Sequence, residues 1–179
     1  MTSNNRLFVP VGLGDHVLGP DDAQLTLVEY GDYQCPYCGE AFSIVEQVRE
    51  DFGDTLRFVF RNFPLVDMHP FAEAAAEVAE AAGLQGKFWE MHETLFENQQ
   101  SLDDAALLRY VQSVGADADR VANDIASGQP RLRVAADAEG ADQSGVNGTP
   151  TFFINGVRYE GSWMHEPFVQ YLQGKLDQM

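Results

Sequence analysis

The period of the apolar positions changes several times along the chain, and each change marks an element. Leu25-Thr26-Leu27-Val28-Glu29-Tyr30 is apolar and β-favouring on both alternating faces, the pattern of a strand buried between two layers. After the loop Gly31 to Gln34, the residues Phe42, Val45, Val48 and Phe52 recur at helical spacing until Gly53. Strand character returns over Thr55-Leu56-Arg57-Phe58-Val59-Phe60-Arg61, so the opening unit reads as β-α-β with parallel strands. From Pro70 to about Ser144 the chain turns Ala-rich and amphipathic. The stretches 71–82, 87–97, 103–114 and 131–142 read as helices, broken by Gly83, Gly115, Gly128 and Pro130. The sheet resumes at Thr151-Phe152-Phe153-Ile154, turns at Asn155-Gly156 and returns through Val157-Arg158-Tyr159, a strong hairpin signal. A last helix is expected from about Glu166 to Leu176. A Gly-rich lead containing Gly12, Gly14 and Gly19-Pro20 precedes the first strand.

This order predicts an α/β fold in one domain, residues 1–179. Residues 25–65 and 145–179 would form the core, and 66–144 a helical insertion. No repeat, low-complexity tract or linker argues for a second domain. A chain of 179 residues with 45% hydrophobic residues has enough apolar surface for a core. Its 28 acidic against 11 basic residues leave a net charge of -17, with no Lys/Arg cluster to track a phosphate backbone, so nucleic acid and anionic membranes are poor partners. The start Met1 to Arg6 lacks the apolar run of a secretory signal, and no later segment approaches the length of a membrane span. Read literally, that makes the protein cytoplasmic, and periplasmic or extracytoplasmic if an export signal has been removed.

The two cysteines, Cys35 and Cys38, are too few for a disulfide scaffold in a chain of this length. Cys35 falls where a helix begins, and Pro36 suits the first helical position, where no N–H partner is needed. A Cys-x-x-Cys at a helix start brings its sulfurs within bridging distance, while unpaired N–H groups and the helix dipole stabilise a thiolate on the first cysteine. Cys35 is the expected nucleophile, and Cys38, one turn further in, the expected resolving thiol. Half of a metal site and a pair of inert buried cysteines are the alternatives. Zinc normally takes four closely spaced ligands, whereas His16, His69, His92 and His165 are scattered singly. No metal and no dissociable cofactor is expected. His69 ahead of Pro70 reads as a loop or capping residue, and Tyr33, Trp163 and Trp89 as packing residues rather than a ligand rim.

Taken together, Val28-Glu29-Tyr30-Gly31-Asp32-Tyr33-Gln34-Cys35-Pro36-Tyr37-Cys38, His69-Pro70, Phe88-Trp89 and Gly145-Val146-Asn147-Gly148-Thr149-Pro150-Thr151-Phe152 resemble the DsbA-like branch of the thioredoxin superfamily over nearly the whole chain. The resemblance implies a thioredoxin fold interrupted by a helical subdomain, with a cis-proline at Pro150 beside the active-site pair. The backbone of Thr149 would then face an incoming substrate strand, and Pro150, lacking an N–H, would keep the site from capturing metal. An ordinary trans proline opening a strand is the plain alternative. Glu29 matches the family's acidic residue beneath the cysteines and would relay the proton of Cys38; otherwise it is a strand-end glutamate reaching solvent. Pro36-Tyr37 departs from the dipeptide of strongly oxidising DsbA proteins and matches that of glutaredoxins, which bears on substrate binding and on the direction of exchange. The implied activity is thiol-disulfide exchange with protein substrates, served by a redox partner protein or glutathione, in a monomer. The alternatives are glutathione-linked chemistry, glutaredoxin-like or of the kappa-transferase kind (which uses a serine where this chain has Cys35), and a non-catalytic metal-delivery module.

Overall fold

The structure, a computed structural model, describes residues 5–179, so the reading of the extreme N-terminus falls largely outside the described residues. Five strands form one mixed sheet in the order β1-β3-β2-β4-β5, with β1 His16–Leu18, β2 Leu25–Gly31, β3 Leu56–Asn62, β4 Thr151–Ile154 and β5 Val157–Tyr159. The expected β-α-β unit is present: β2 and β3 run parallel, in a register that pairs Leu25 with Leu56 and Glu29 with Phe60, and α1 (Pro36–Phe52) connects them. β4 then adds antiparallel to β2, pairing Glu29 with Phe152. Asn155 and Gly156 both take positive φ, 47° and 77°, the geometry a two-residue hairpin turn needs.

Alternation along β2 divides the core between the two faces of the sheet. Leu25 and Leu27 join the large cluster with Val45, Val48, Phe58, Phe60, Phe152 and Phe168. Val28 and Tyr30 face the other way, against Val59, Ala141, Val146 and Phe153. A central strand with both faces covered has little use for polar positions; β2 has Thr26, half-buried and accepting from Arg57, and Glu29, which is fully buried.

Five helices lie between β3 and β4 in chain order: α2 Ala72–Gly83, α3 Phe88–Glu97, α4 Asp104–Ser113, α5 Ala118–Ser127 and α6 Gln129–Gln143; α7 is His165–Leu176. Three details differ from the sequence reading. The lead contributes β1, an edge strand antiparallel to β3 that three residues are too few to announce by periodicity. The helix α5 is absent from the sequence reading although Ala118, Val121, Ala122 and Ile125 stand at helical spacing; Val121 is buried, Ala118 and Ile125 pack against the core, and Asp117 caps the helix by accepting from the Arg120 N–H. Finally, Pro130 does not break a helix but opens α6 in its first turn. Gly128, at φ 81°, ends α5 and begins α6 in a single residue.

A buried polar seam fastens the lead to the sheet. The Arg61 guanidinium donates to both carboxylate oxygens of Asp15, to the carbonyls of Val9 and Pro10, and to the Tyr30 hydroxyl. Next to it, Asn62 donates to Glu80 and Asp137, and His16 pairs with Glu80 at 2.8 Å.

Candidate active site

The ends of β2 and α1 meet at the loop Gly31 to Gln34, and Asp32 organises that loop. Its buried carboxylate accepts from the backbone N–H of Gln34 at 2.7 Å, of Cys35 at 3.1 Å and of Leu65 at 2.8 Å. It also meets the His69 ring at 2.8 Å. The first two bonds are an Asx turn, which delivers the chain into α1 with Cys35 as the N-cap residue, extended at φ -69° and ψ 122°. The other two tether the segment after β3 to the same carboxylate. His69 is a loop residue, as its position before Pro70 suggests, and it touches the site through Asp32 rather than through the sulfurs.

Pro36 takes the start of α1, where its missing N–H costs nothing, and the N–H groups of Tyr37 and Cys38 are left to face the Cys35 sulfur. Both cysteines are free thiols. The Cys35 Sγ lies 3.5 Å from the carbonyl oxygen of Thr149, in the loop whose Thr149–Pro150 peptide is cis. The Thr149 hydroxyl is buried with no hydrogen-bond partner among the described residues, which leaves it to stabilise a thiolate on Cys35.

The two thiols are in opposite electrostatic states. The Cys38 side chain lowers the Cys35 pKa most; burial, the next-largest influence, opposes it, and Thr149 with the N–H groups of Cys38 and Tyr37 brings the value down to about 5. Burial first, then Cys35 and Glu29, push the Cys38 thiol well above its ordinary value. Glu29 lies near Cys35, flanked by Phe60 on β3 and Phe152 on β4, and makes no ion pair among the described residues. One of its oxygens has no partner among the described residues, and burial, with the Cys35 charge second, raises the carboxyl to about 8. The strand-end alternative does not hold in this geometry, since Glu29 is buried.

Of the residues expected at the site, Cys35, Cys38, Thr149, Pro150 and Glu29 come together, whereas Pro36 and Tyr37 stand on the rim, exposed to solvent. Tyr33 is packed, not rim: its ring lies among Phe60 and Phe96, and its hydroxyl meets the His92 Nδ1 at 3.0 Å. Burial, followed by His16 and Arg49, lowers His92 to about 3, so the ring that shares this hydrogen bond with Tyr33 is neutral. Trp163 packs against the large core cluster. Two residues were not anticipated. Asp32 had a readable signal, an aspartate two and three residues ahead of the N–H groups it binds. Gln99, between α3 and α4, had none: its amide Nε2 donates to the carbonyls of Tyr33 and Cys35, both at 2.9 Å. No group of His, Cys, Asp and Glu among the described residues is arranged to hold a metal ion.

The protein-family model described as Thioredoxin matches residues 13–173. A Na(+)/H(+) antiporter NhaA 1 of Salinispora arenicola (strain CNS-205) is 50% identical over 158 residues, which is 88% of this chain and 24% of that protein. The chain thus spans about a quarter of the length of the curated relatives it matches. Among solved structures, a thioredoxin-like oxidoreductase from Silicibacter pomeroyi DSS-3 superposes with a TM-score of 0.79 at 28% identity, covering 93% of this chain and 92% of that one. BdbD from Bacillus subtilis, in its oxidised form, gives 0.81 at 25% identity, covering 92% and 94%.

Proposed function

The chain belongs to the thioredoxin family, and from that premise we propose that it is a DsbA-like thiol-disulfide oxidoreductase acting on protein substrates through Cys35 and Cys38. One observation carries the reading: a first cysteine at a helix N-terminus, with its pKa drawn down to about 5, stands one turn before a second that burial keeps protonated. An asymmetric pair of this kind suits a nucleophile that is always ready and a resolving thiol that acts only after it.

In the reducing direction, the Cys35 thiolate attacks one sulfur of a substrate disulfide. The substrate S–S bond breaks, a mixed disulfide forms, and the departing sulfur leaves as a thiolate that takes a proton from water. Cys38 then gives its proton to the minor, ionised fraction of Glu29 and attacks the Cys35 sulfur. The bond between Cys35 and the substrate breaks, the second substrate sulfur leaves as a thiolate that takes up a proton from Glu29 or water, and the pair ends as a disulfide, having supplied two electrons. Oxidation of a substrate dithiol is the same sequence reversed. A carboxyl raised to about 8 is a better match to a thiol's proton than an ordinary one.

In this reading residues 25–65 and 145–179 are the redox core and 66–144 its helical insertion. Tyr37 is exposed, as are Val66 and Met68 in the segment that Leu65 and His69 tether to Asp32, and these apolar side chains suit a polypeptide substrate. In a cytoplasmic setting the pair would rest as a dithiol and favour the reducing direction. Ion transport is not carried over from the antiporter relatives, because the match covers a quarter of their length and no described helix is long and apolar enough to cross a membrane.

The test is dithiothreitol-driven reduction of a disulfide-bonded protein such as insulin. Cys35→Ser is expected to abolish turnover, and Cys38→Ser to accumulate a mixed disulfide through Cys35, visible by mass. Full turnover in the Cys35→Ser variant would refute the assignment.

A further inference from the structure

The helical region reaches the reactive cysteine by one hydrogen-bonded side chain. Gln99 lies outside any helix, between the C-cap Asn98 of α3 and the N-cap Asp103 of α4. That turn is itself fixed. The Ser101 N–H donates to the Asn98 carbonyl at 3.0 Å, the Tyr110 hydroxyl donates to the Ser101 carbonyl at 2.7 Å, and Leu102 is buried. A side chain presented from a braced turn gives up little further freedom when it makes a bond.

From there the Gln99 amide spans the Tyr33 and Cys35 carbonyls. The Cys35 carbonyl already accepts the first helical bond of α1, from the Gly39 N–H at 3.1 Å. The second donor therefore holds the peptide that sets where the Cys35 sulfur lies relative to the N–H groups of Tyr37 and Cys38. Gly39 makes room for this arrangement: a Cβ there would overlap the Gln99 Oε1 and come within 2.8 Å of its Cδ. The glycine takes no positive φ, so its lack of a side chain is explained by this close approach rather than by backbone conformation.

We infer that Gln99 is a positioning residue for Cys35, acting through the Tyr33 and Cys35 carbonyls, and that Gly39 is glycine because a side chain there would expel the Gln99 amide. The inference rests on the reading of Cys35 as the nucleophile. It makes a coupled prediction that a merely structural role would not: Gly39→Ala and Gln99→Ala should damage the same property, and only once.

The experiment measures the rate of iodoacetamide alkylation of the reduced full chain against pH, for the parent, Gln99→Ala, Gln99→Met, Gly39→Ala and the Gly39→Ala/Gln99→Ala double variant. Gln99→Met keeps the length and apolar stem while removing the donor, and urea unfolding of each variant establishes that it is folded. With the Cys35 N–H contacts loosened, its pKa should rise by about one unit, which lowers alkylation at pH 5 about fivefold in each single variant. The double variant should be no slower than Gln99→Ala. Unchanged alkylation in both folded Gln99 variants, or losses that multiply in the double variant, would overturn the inference. An ordinary thiol profile in the parent is a different result, and it would remove the functional reading itself.

Discussion

Replacing Glu29 with glutamine should stabilise the reduced protein, and by an amount that depends on pH in a defined way. The carboxyl has an ordinary value of 4.5 when exposed and about 8 in the folded chain. The folded state holds the proton more tightly, so the contribution is fully present below 4.5 and is lost as pH rises through 8. Between those limits the unfolded chain ionises and the folded one does not, at about 1.4 kcal/mol per pH unit. At pH 7 the parent is thus penalised by about 3 kcal/mol, a large part of a typical domain's stability. Glutamine has the same shape and no proton to lose, so Glu29→Gln should match the parent near pH 4 and exceed it by about 3 kcal/mol at pH 7. Cys35 works in the opposite sense, since its lowered pKa adds stability from about 5 upwards, but parent and variant share that contribution and it cancels in their difference. The assay is urea unfolding of both reduced proteins from pH 4 to 8, with constant m-values as the check on two-state behaviour. A stability difference that stays flat with pH would refute the reasoning, because it would mean that Glu29 titrates as an exposed carboxylate.

Two further outcomes follow from the same site. Alkylation of Cys35 in the reduced protein should rise with a midpoint near pH 5 while Cys38 stays unreactive through pH 8, which peptide mapping of the modified chain would resolve; a single midpoint near 9 for both would contradict the asymmetry. Asp32→Ala removes the acceptor for three backbone N–H groups and the His69 ring, and should cost about 2–4 kcal/mol in urea unfolding. A loss below about 1 kcal/mol would show that water replaces the carboxylate without penalty.

Much of this protein is legible along the chain because the signals are local. The run Leu25 to Tyr30 announces a strand covered on both faces, Asn155-Gly156 a tight hairpin, and Cys35-Pro36 the first turn of a helix with a sulfur at its N-cap. The sequence by itself determined those elements, and with them the placement of Cys38 one turn after Cys35, since propensity, turn chemistry and spacing act over a few residues. Only the tertiary structure decided what surrounds them. The edge strand His16–Leu18 exists because β3 offers it a partner. Glu29 becomes a raised carboxyl because β3 and β4 set Phe60 and Phe152 on either side of it. Gln99 reaches Cys35 across a separation of 64 residues, and the side chain missing from Gly39 acquires a reason only when that amide arrives beside it. Contacts of that range are fixed by how layers pack, and a chain read in order carries no period or spacing that encodes them.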